Sequence, residues 1–236
     1  MNIISNDTLI KRNARLSQIA MIAGLVVLGG GMFISFRFTD ARYFYLTLLA
    51  LLLGFILSQV GIYFANHFGR HPRPDESLNT ALKGLDGKYT LYHYMTPLPH
   101  LLIGPAGIWI LMPRNQKGRI TFYKGRWRQT GGNWYLKIFA QEGLGRPDID
   151  TSTEVDKLTK YLKENLPEGA SLPTIQTALV FTDPKVVLDI PEDAQPPAQT
   201  VTADKLKETI RKSAKSKAIN PQQIQLITDL FPGESK

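Results

Sequence analysis

Two of the four histidines, His93 and His100, lie seven residues apart, and from His100 the chain reads HLLIGPAGIWILMPRN to Asn115. Two apolar runs around Gly-Pro-Ala-Gly have the outline of a β-hairpin whose far end carries Pro113, Arg114 and Asn115 to a rim. A histidine there can act as a general base only with a nucleophile and an orienting partner beside it. No nucleophile stands at a telling position, so the two imidazoles read as structural. The segment GGNWYLK (131–137) is not a phosphate loop, because Gly-Lys-Ser/Thr is missing. HExxH, EF-hand and Rossmann patterns are absent too. The chain has no cysteine, which excludes disulfides and cysteine-ligated zinc and suits a cytoplasmic domain.

Past the hairpin, seven basic residues fall between Arg114 and Lys137 (Arg114, Lys117, Arg119, Lys124, Arg126, Arg128, Lys137) with no acidic one among them. Phe122, Tyr123, Trp127, Trp134 and Tyr135 are interleaved. Three surroundings fit this pattern. In a strand, alternate aromatics face a core while alternate cations face water. Against anionic lipid, each cation near the surface contributes about 1 kcal/mol. Against nucleic acid, cations take phosphates and rings stack on bases. The contact candidates are Arg114, Lys117, Arg119, Arg126, Trp127 and Arg128. A second basic cluster (Lys205, Lys207, Arg211, Lys212, Lys215, Lys217) reads as the solvated face of a helix.

The elements that must position these groups begin with two apolar runs. Leu16 to Phe36 holds 21 residues without a charge, and Tyr43 to Gly69 holds 27 more. Each exceeds the roughly 20 residues that a helix needs to cross a bilayer core. The first run is too long for the h-region of a signal peptide, and no cleavage site leads into soluble sequence. Six residues, Arg37 to Arg42, join the runs into a transmembrane hairpin. Lys11, Arg12 and Arg15 flank one end and Arg70, Arg73, Lys83 and Lys88 the other, which by the positive-inside bias puts both termini in the cytoplasm of a two-span cell-membrane protein. Aromatics at Phe36, Phe38, Tyr43, Phe44 and Tyr45 mark the outer interface. Small residues at Ala20, Gly24, Ala50, Gly54 and Ser58 allow close helix approach, either within the hairpin or in a homodimer. With no ionisable group in the spans except His67, the hairpin reads as an anchor rather than an ion pathway.

Of the 28 basic and 20 acidic residues behind the formal charge of +8, 21 basic and 18 acidic lie from Pro74 onward. That part is only +3, so overall basicity does not argue for nucleic acid. It opens with an amphipathic helix (Leu78, Ala81, Leu82, Leu85) closed by Gly84 and Gly87. KYTLYHYM and the hairpin follow, then short strands at Ile120–Tyr123, Arg126–Gln129 and Trp134–Phe139. Thr151 and Glu154 fit the capping box of a helix striped by Val155, Leu158, Tyr161 and Leu162. TIQTALVFT and KVVLDI read as strands and PEDAQPPAQ as a connector. Helices at about 203–213 and 220–230 complete the chain, Asn220 capping the second. The order implies a mixed sheet covered by helices, with segments 1–15, 16–69 and 70–236 as cytoplasmic lead, hairpin and α/β domain.

From about Glu76 onward, LPHLLIGPAGIWILMPRN, GRITFYKGRW and RPDID fall in the order of the motifs of the nuclease-related domain (NERD) family, which the chain resembles. That family belongs to the PD-(D/E)xK, restriction-endonuclease-like fold. It pairs a strand Ile-Asp-His-Φ-Φ-Φ with one ending Φ-Φ-Glu-x-Lys-Asn, and follows them with Asn-Pro-x-x-Gln before a helix. The resemblance sets Pro99 at the metal-binding aspartate, Met112 at the glutamate, Arg114 at the lysine, Arg146 at the asparagine and Asp150 at the glutamine. Glu76 stands at the early glutamate, and His100 keeps its place. Hydrolysis there needs hard oxygen ligands for a divalent ion; proline and methionine offer none, and arginine cannot serve as a base. The resemblance therefore implies a nuclease-like domain without catalytic residues, metal or cofactor, binding or scaffolding at the membrane. The enzymatic alternative is a tethered nuclease holding Mg2+ through Glu76, His100 and a displaced carboxylate such as Asp86 or Asp150. A third is an accessory subunit packed against a membrane-protein partner.

Overall fold

The computed structural model describes residues 1–38, 40–131, 134–139, 143–167, 173–191, 193–216, 220–231 and 233. The chain divides into two compact units. One comprises Met1–Asp7, Pro74–Lys137 and Glu142–Lys236, and the other Thr8–Arg73 and Ile138–Gln141.

The helical unit contains α1 (Asp7–Arg37) and α2 (Ala41–Phe64), with α2 continued by a π-helical turn at Ala65–Gly69. Both long helices are apolar enough to cross a membrane, with a mean hydropathy of 2.2 over the best window of each, only 11% of which is buried. Large apolar side chains such as Leu25 and Phe36 therefore point outward, 71% and 81% exposed. Near Gly24 and Gly31 the two helices meet through small residues. A Cβ on Gly24 would meet Ser58 Oγ at 2.7 Å and Gly54 O at 3.1 Å, and one on Gly31 would meet the Ala50 Cβ at 2.8 Å. The small-residue faces are thus used inside the hairpin, where they let two backbones approach.

The α/β unit is built on a six-stranded mixed sheet, whose strands are β1 (Asn2–Ser5), β2 (Thr90–His93), β3 (His100–Gly104), β4 (Gly107–Arg114), β7 (Ile175–Phe181) and β9 (Gln199–Thr202), in that order. β2, β3 and β4 are antiparallel neighbours, and β1–β2, β4–β7 and β7–β9 are parallel. Helices α5 (Pro147–Asn165) and α7 (Pro221–Thr228) cover one face, where Leu101, Ile103, Ile108, Ile110, Met112, Leu179 and Phe181 meet Leu158, Leu162 and Ile227. Helices α3 (Pro74–Ala81) and α6 (Ala203–Ser216) cover the other, where Leu91, Leu102, Trp109, Leu111, Ala178 and Val180 meet Leu78, Leu206 and Ile210. Two covered faces explain why β4 opens as the unbroken apolar run GIWILM rather than alternating.

A second sheet runs β6 (Arg126–Thr130), β5 (Gly118–Tyr123), β8 (Val186–Asp189). Gly118 opens it at φ +90, with Thr130 O only 2.4 Å from where a Cβ would stand, so only glycine fits.

Several expectations change. Residues 1–15 are no separate lead: Asn2–Ser5 is a strand of the α/β sheet, and α1 starts at Asp7. Trp134–Phe139 is a helix, α4, not a strand; so short an apolar run carries no period that separates the two. The capping box does not form, because α5 starts at Pro147, placing Asp148 and Asp150 in its first turn. Thr151 consequently lies in the second turn and donates from Oγ1 to Pro147 O at 2.7 Å. The Asn220 cap does form, its Oδ1 accepting from Gln222 N at 3.0 Å.

Candidate functional site

The hairpin forms as its spacing demands. Gly104 pairs with Gly107 across Pro105-Ala106, and Leu101 faces Ile110. Gly104 is required there, because the Tyr89 ring lies 2.3 Å from its missing Cβ. Burial, and secondarily the charge of Asp86, pushes the Tyr89 phenol up, against an opposing hydrogen bond to Ala106 and the charge of Arg211.

Pro99 immediately precedes β3, its carbonyl accepting from Tyr94 N at 2.8 Å, and Met112 lies within β4. Met112 is 8% exposed within the core, and its Sδ receives a long contact of 3.8 Å from Thr151 Oγ1. Arg114, two residues on and on the same face, donates from Nη2 to Asp150 Oδ2 of α5 at 2.5 Å. The positions expected for lysine and glutamine therefore meet, as an ion pair. With Asp150 45% exposed, its contribution is about 1 kcal/mol or less. Arg114 Nε is buried without a hydrogen-bond partner, and its carbonyl accepts from Thr182 N at 2.8 Å. Arg146 lies at the start of α5 and pairs with Asp148 at 3.5 Å.

His93 and His100 are cross-strand partners on the opposite face of the sheet. Both are buried, 0% and 3% exposed, and their Nδ1 atoms are 2.8 Å apart. His93 Nε2 lies 3.0 Å from Asn79 Oδ1 on α3. With its proton on Nε2, His93 donates to Asn79 Oδ1, which can only accept. In the neutral pair His93 then offers a lone pair at Nδ1, and His100 donates to it. At 2.8 Å the two nitrogens are within hydrogen-bonding distance. Tyr94 packs edge-on to His100 at 5.0 Å. Glu76, on α3, is half-buried one turn before Asn79. The sheet thus separates the imidazoles from Met112, Arg114 and Asp150. Among the described residues, no three His, Asp or Glu side chains converge. Asp86 lies in the turn after α3, where its carbonyl accepts from Tyr89 N at 3.2 Å.

The six contact candidates part company. Arg114 is held by Asp150, Arg119 by Asp189 at 3.0 Å, and Lys117 lies 4.0 Å from Asp183. Trp127 turns inward, its ring 4.8 Å from that of Phe122 and packed against the core. Arg126 and Arg128 stand exposed on the outer face, with no ion-pair partner among the described residues. Side chains of Trp134 and Lys137, and Lys217 altogether, lie outside the described set.

The second basic cluster is not merely solvated. Lys207 Nζ donates to Lys83 O at 3.1 Å and Arg211 Nη2 to Gly84 O at 2.9 Å, satisfying carbonyls where α3 ends. Lys212 bonds Glu208 at 2.9 Å and holds that exposed carboxyl below its usual range. Tyr92, between the sheet and Phe231, is pushed up by burial and then by the charge of Asp229.

No family model, curated protein or solved structure matches the chain.

Proposed function

We propose that this is a two-span membrane protein whose α/β unit has a nuclease-related fold without nuclease chemistry, and that it serves as a binding or scaffolding module at the cytoplasmic membrane surface. The observation that carries the reading is the fate of three positions. The resemblance sets Pro99 and Met112 where hard metal ligands would be needed, and the arginine after them pairs with Asp150. The element order supports the kinship: a helix, the β3–β4 hairpin, a helix opened by Pro147, and a parallel strand beside β4. Localisation is supported by both ends of the helical hairpin returning to the α/β unit, since β1 pairs with β2. Two crossings then leave Met1 and the domain on one side, and the flanking cations favour the cytoplasm.

The test is hydrolysis by the purified full chain, in detergent, of labelled single- and double-stranded DNA and RNA with Mg2+ or Mn2+. No cleavage above a buffer control is expected. Cleavage that EDTA abolishes and Glu76→Gln removes would establish the tethered-nuclease alternative instead.

A further inference from the structure

We propose that the outward face of the β5–β6 hairpin docks on anionic lipid headgroups, with Arg126 and Arg128 as the cations and Tyr123 as the interfacial ring. The inference rests on the membrane-anchored reading above and adds the ligand of its basic face.

Strand parity builds this surface. Ile120 and Phe122 of β5 and Trp127 of β6 turn toward the core. Arg119, Thr121 and Tyr123, and across from them Thr130, Arg128 and Arg126, turn outward. Tyr123 is 63% exposed, and Lys124 Nζ stands 5.4 Å over its ring. Lys124 and Gly125 both have positive φ, 49° and 71°, so the turn is tight and the cations cluster at one end of the ribbon. Asp189, on the neighbouring β8, is taken by Arg119 at 3.0 Å. Asp193 shares a shallow concavity with Tyr123 and Lys124, which leaves the Arg126–Arg128 side as the anion-seeking edge.

This pattern suits lipid better than nucleic acid. Sequence-independent binding of single-stranded nucleic acid uses rings as stacking platforms, and two of the rings in this ribbon, Phe122 and Trp127, face the core. A phenol beside cations is instead the composition of a membrane interface. The chain leaving β6 enters α4, whose Tyr135 and Ile138 are 54% and 61% exposed, adding further apolar surface to the same stretch of sequence.

The full chain, reconstituted in vesicles of phosphatidylcholine alone or with about one-third phosphatidylglycerol, tests this through acylation of Lys124. Lys160, exposed on α5, is the internal reference. Relative to Lys160, Lys124 should react about fivefold or more slowly in the anionic vesicles. Arg126→Ala/Arg128→Ala should restore the neutral-vesicle rate, as should high salt. Neither side chain has an ion-pair partner among the described residues, so this variant keeps its fold, checked by circular dichroism. Equal rates in the two lipids, a fall shared by Lys160, or a fall indifferent to the double variant would overturn the proposal. Protection by a single-stranded oligonucleotide in neutral vesicles, without protection by phosphatidylglycerol, would overturn it in favour of nucleic acid. If the chain washes off both vesicles at alkaline pH, the anchoring reading has failed instead.

Discussion

The imidazole pair shows how a residue with catalytic potential can be held to a structural task. His93 is wholly buried, bonded at one nitrogen to Asn79 and at the other to His100. Removing one ring leaves a buried polar atom on the other, which costs about 1–3 kcal/mol; removing both leaves less to satisfy. A double-mutant cycle of His93→Leu and His100→Leu, read from thermal unfolding of the full chain in detergent, should therefore be non-additive, the double variant losing less than the two single losses together. Strict additivity would show that the 2.8 Å contact carries no coupling. That these histidines are structural was legible from the lack of a nucleophile beside them in the sequence. Their mutual bond was not, because it depends on the β2–β3 register, which pairs them directly.

At the scale of elements, β1 is the feature with the largest consequence and the smallest signal. Four residues, Asn2–Ser5, make a strand by completing a parallel ladder whose other half lies 88 positions away. Asn2 N bonds Tyr89 O at 2.8 Å and Asn6 N bonds His93 O at 3.0 Å, so the amide of Ile4, midway, lies on the same edge. Ile4→Pro removes that donor. It should raise amide exchange in β2 by about tenfold or more, consistent with roughly 1–3 kcal/mol for a stranded ladder group. Unchanged exchange would mean that β2 does not need β1. Local pattern misled at α4 for a related reason: WYLKIF has the residues of a strand, and six positions hold too few repeats for either period to show. In contrast, α5 carries Leu158 and Leu162 at helical spacing over 19 residues, and only its first turn was misplaced.

For the whole molecule, the hairpin is an insertion: the chain leaves the sheet after β1 and returns at α3. Charge bias alone left a modest margin for orientation, since Arg37 and Arg42 flank the connecting loop. Sheet pairing adds a stronger constraint, because β1 and β2 must be on one side to bond. The absence of native cysteine makes this directly testable. A membrane-impermeant maleimide on intact cells should label Asp40→Cys, while Ser152→Cys should react only after lysis. Labelling of Ser152→Cys first would reverse the orientation, and labelling of neither before lysis would place the hairpin elsewhere.

The sequence by itself determined what local composition and spacing can determine. Two apolar runs of spanning length, the Gly-Pro-Ala-Gly hairpin, the stripe of α5 and the cap at Asn220 depend on residues close in the chain. That Pro99 and Met112 offer no hard oxygen ligand is likewise a matter of residue type. Only the tertiary structure decided which groups meet. It spent Arg114 on Asp150 and Arg119 on Asp189, turned Trp127 toward the core, and left Arg126 and Arg128 outward. It also used Lys207 and Arg211 to close α3 from 124 and 127 residues away. The physical reason is that a side chain's chemistry depends on its partners, and those partners are set by long-range strand pairing and by the face on which a helix packs.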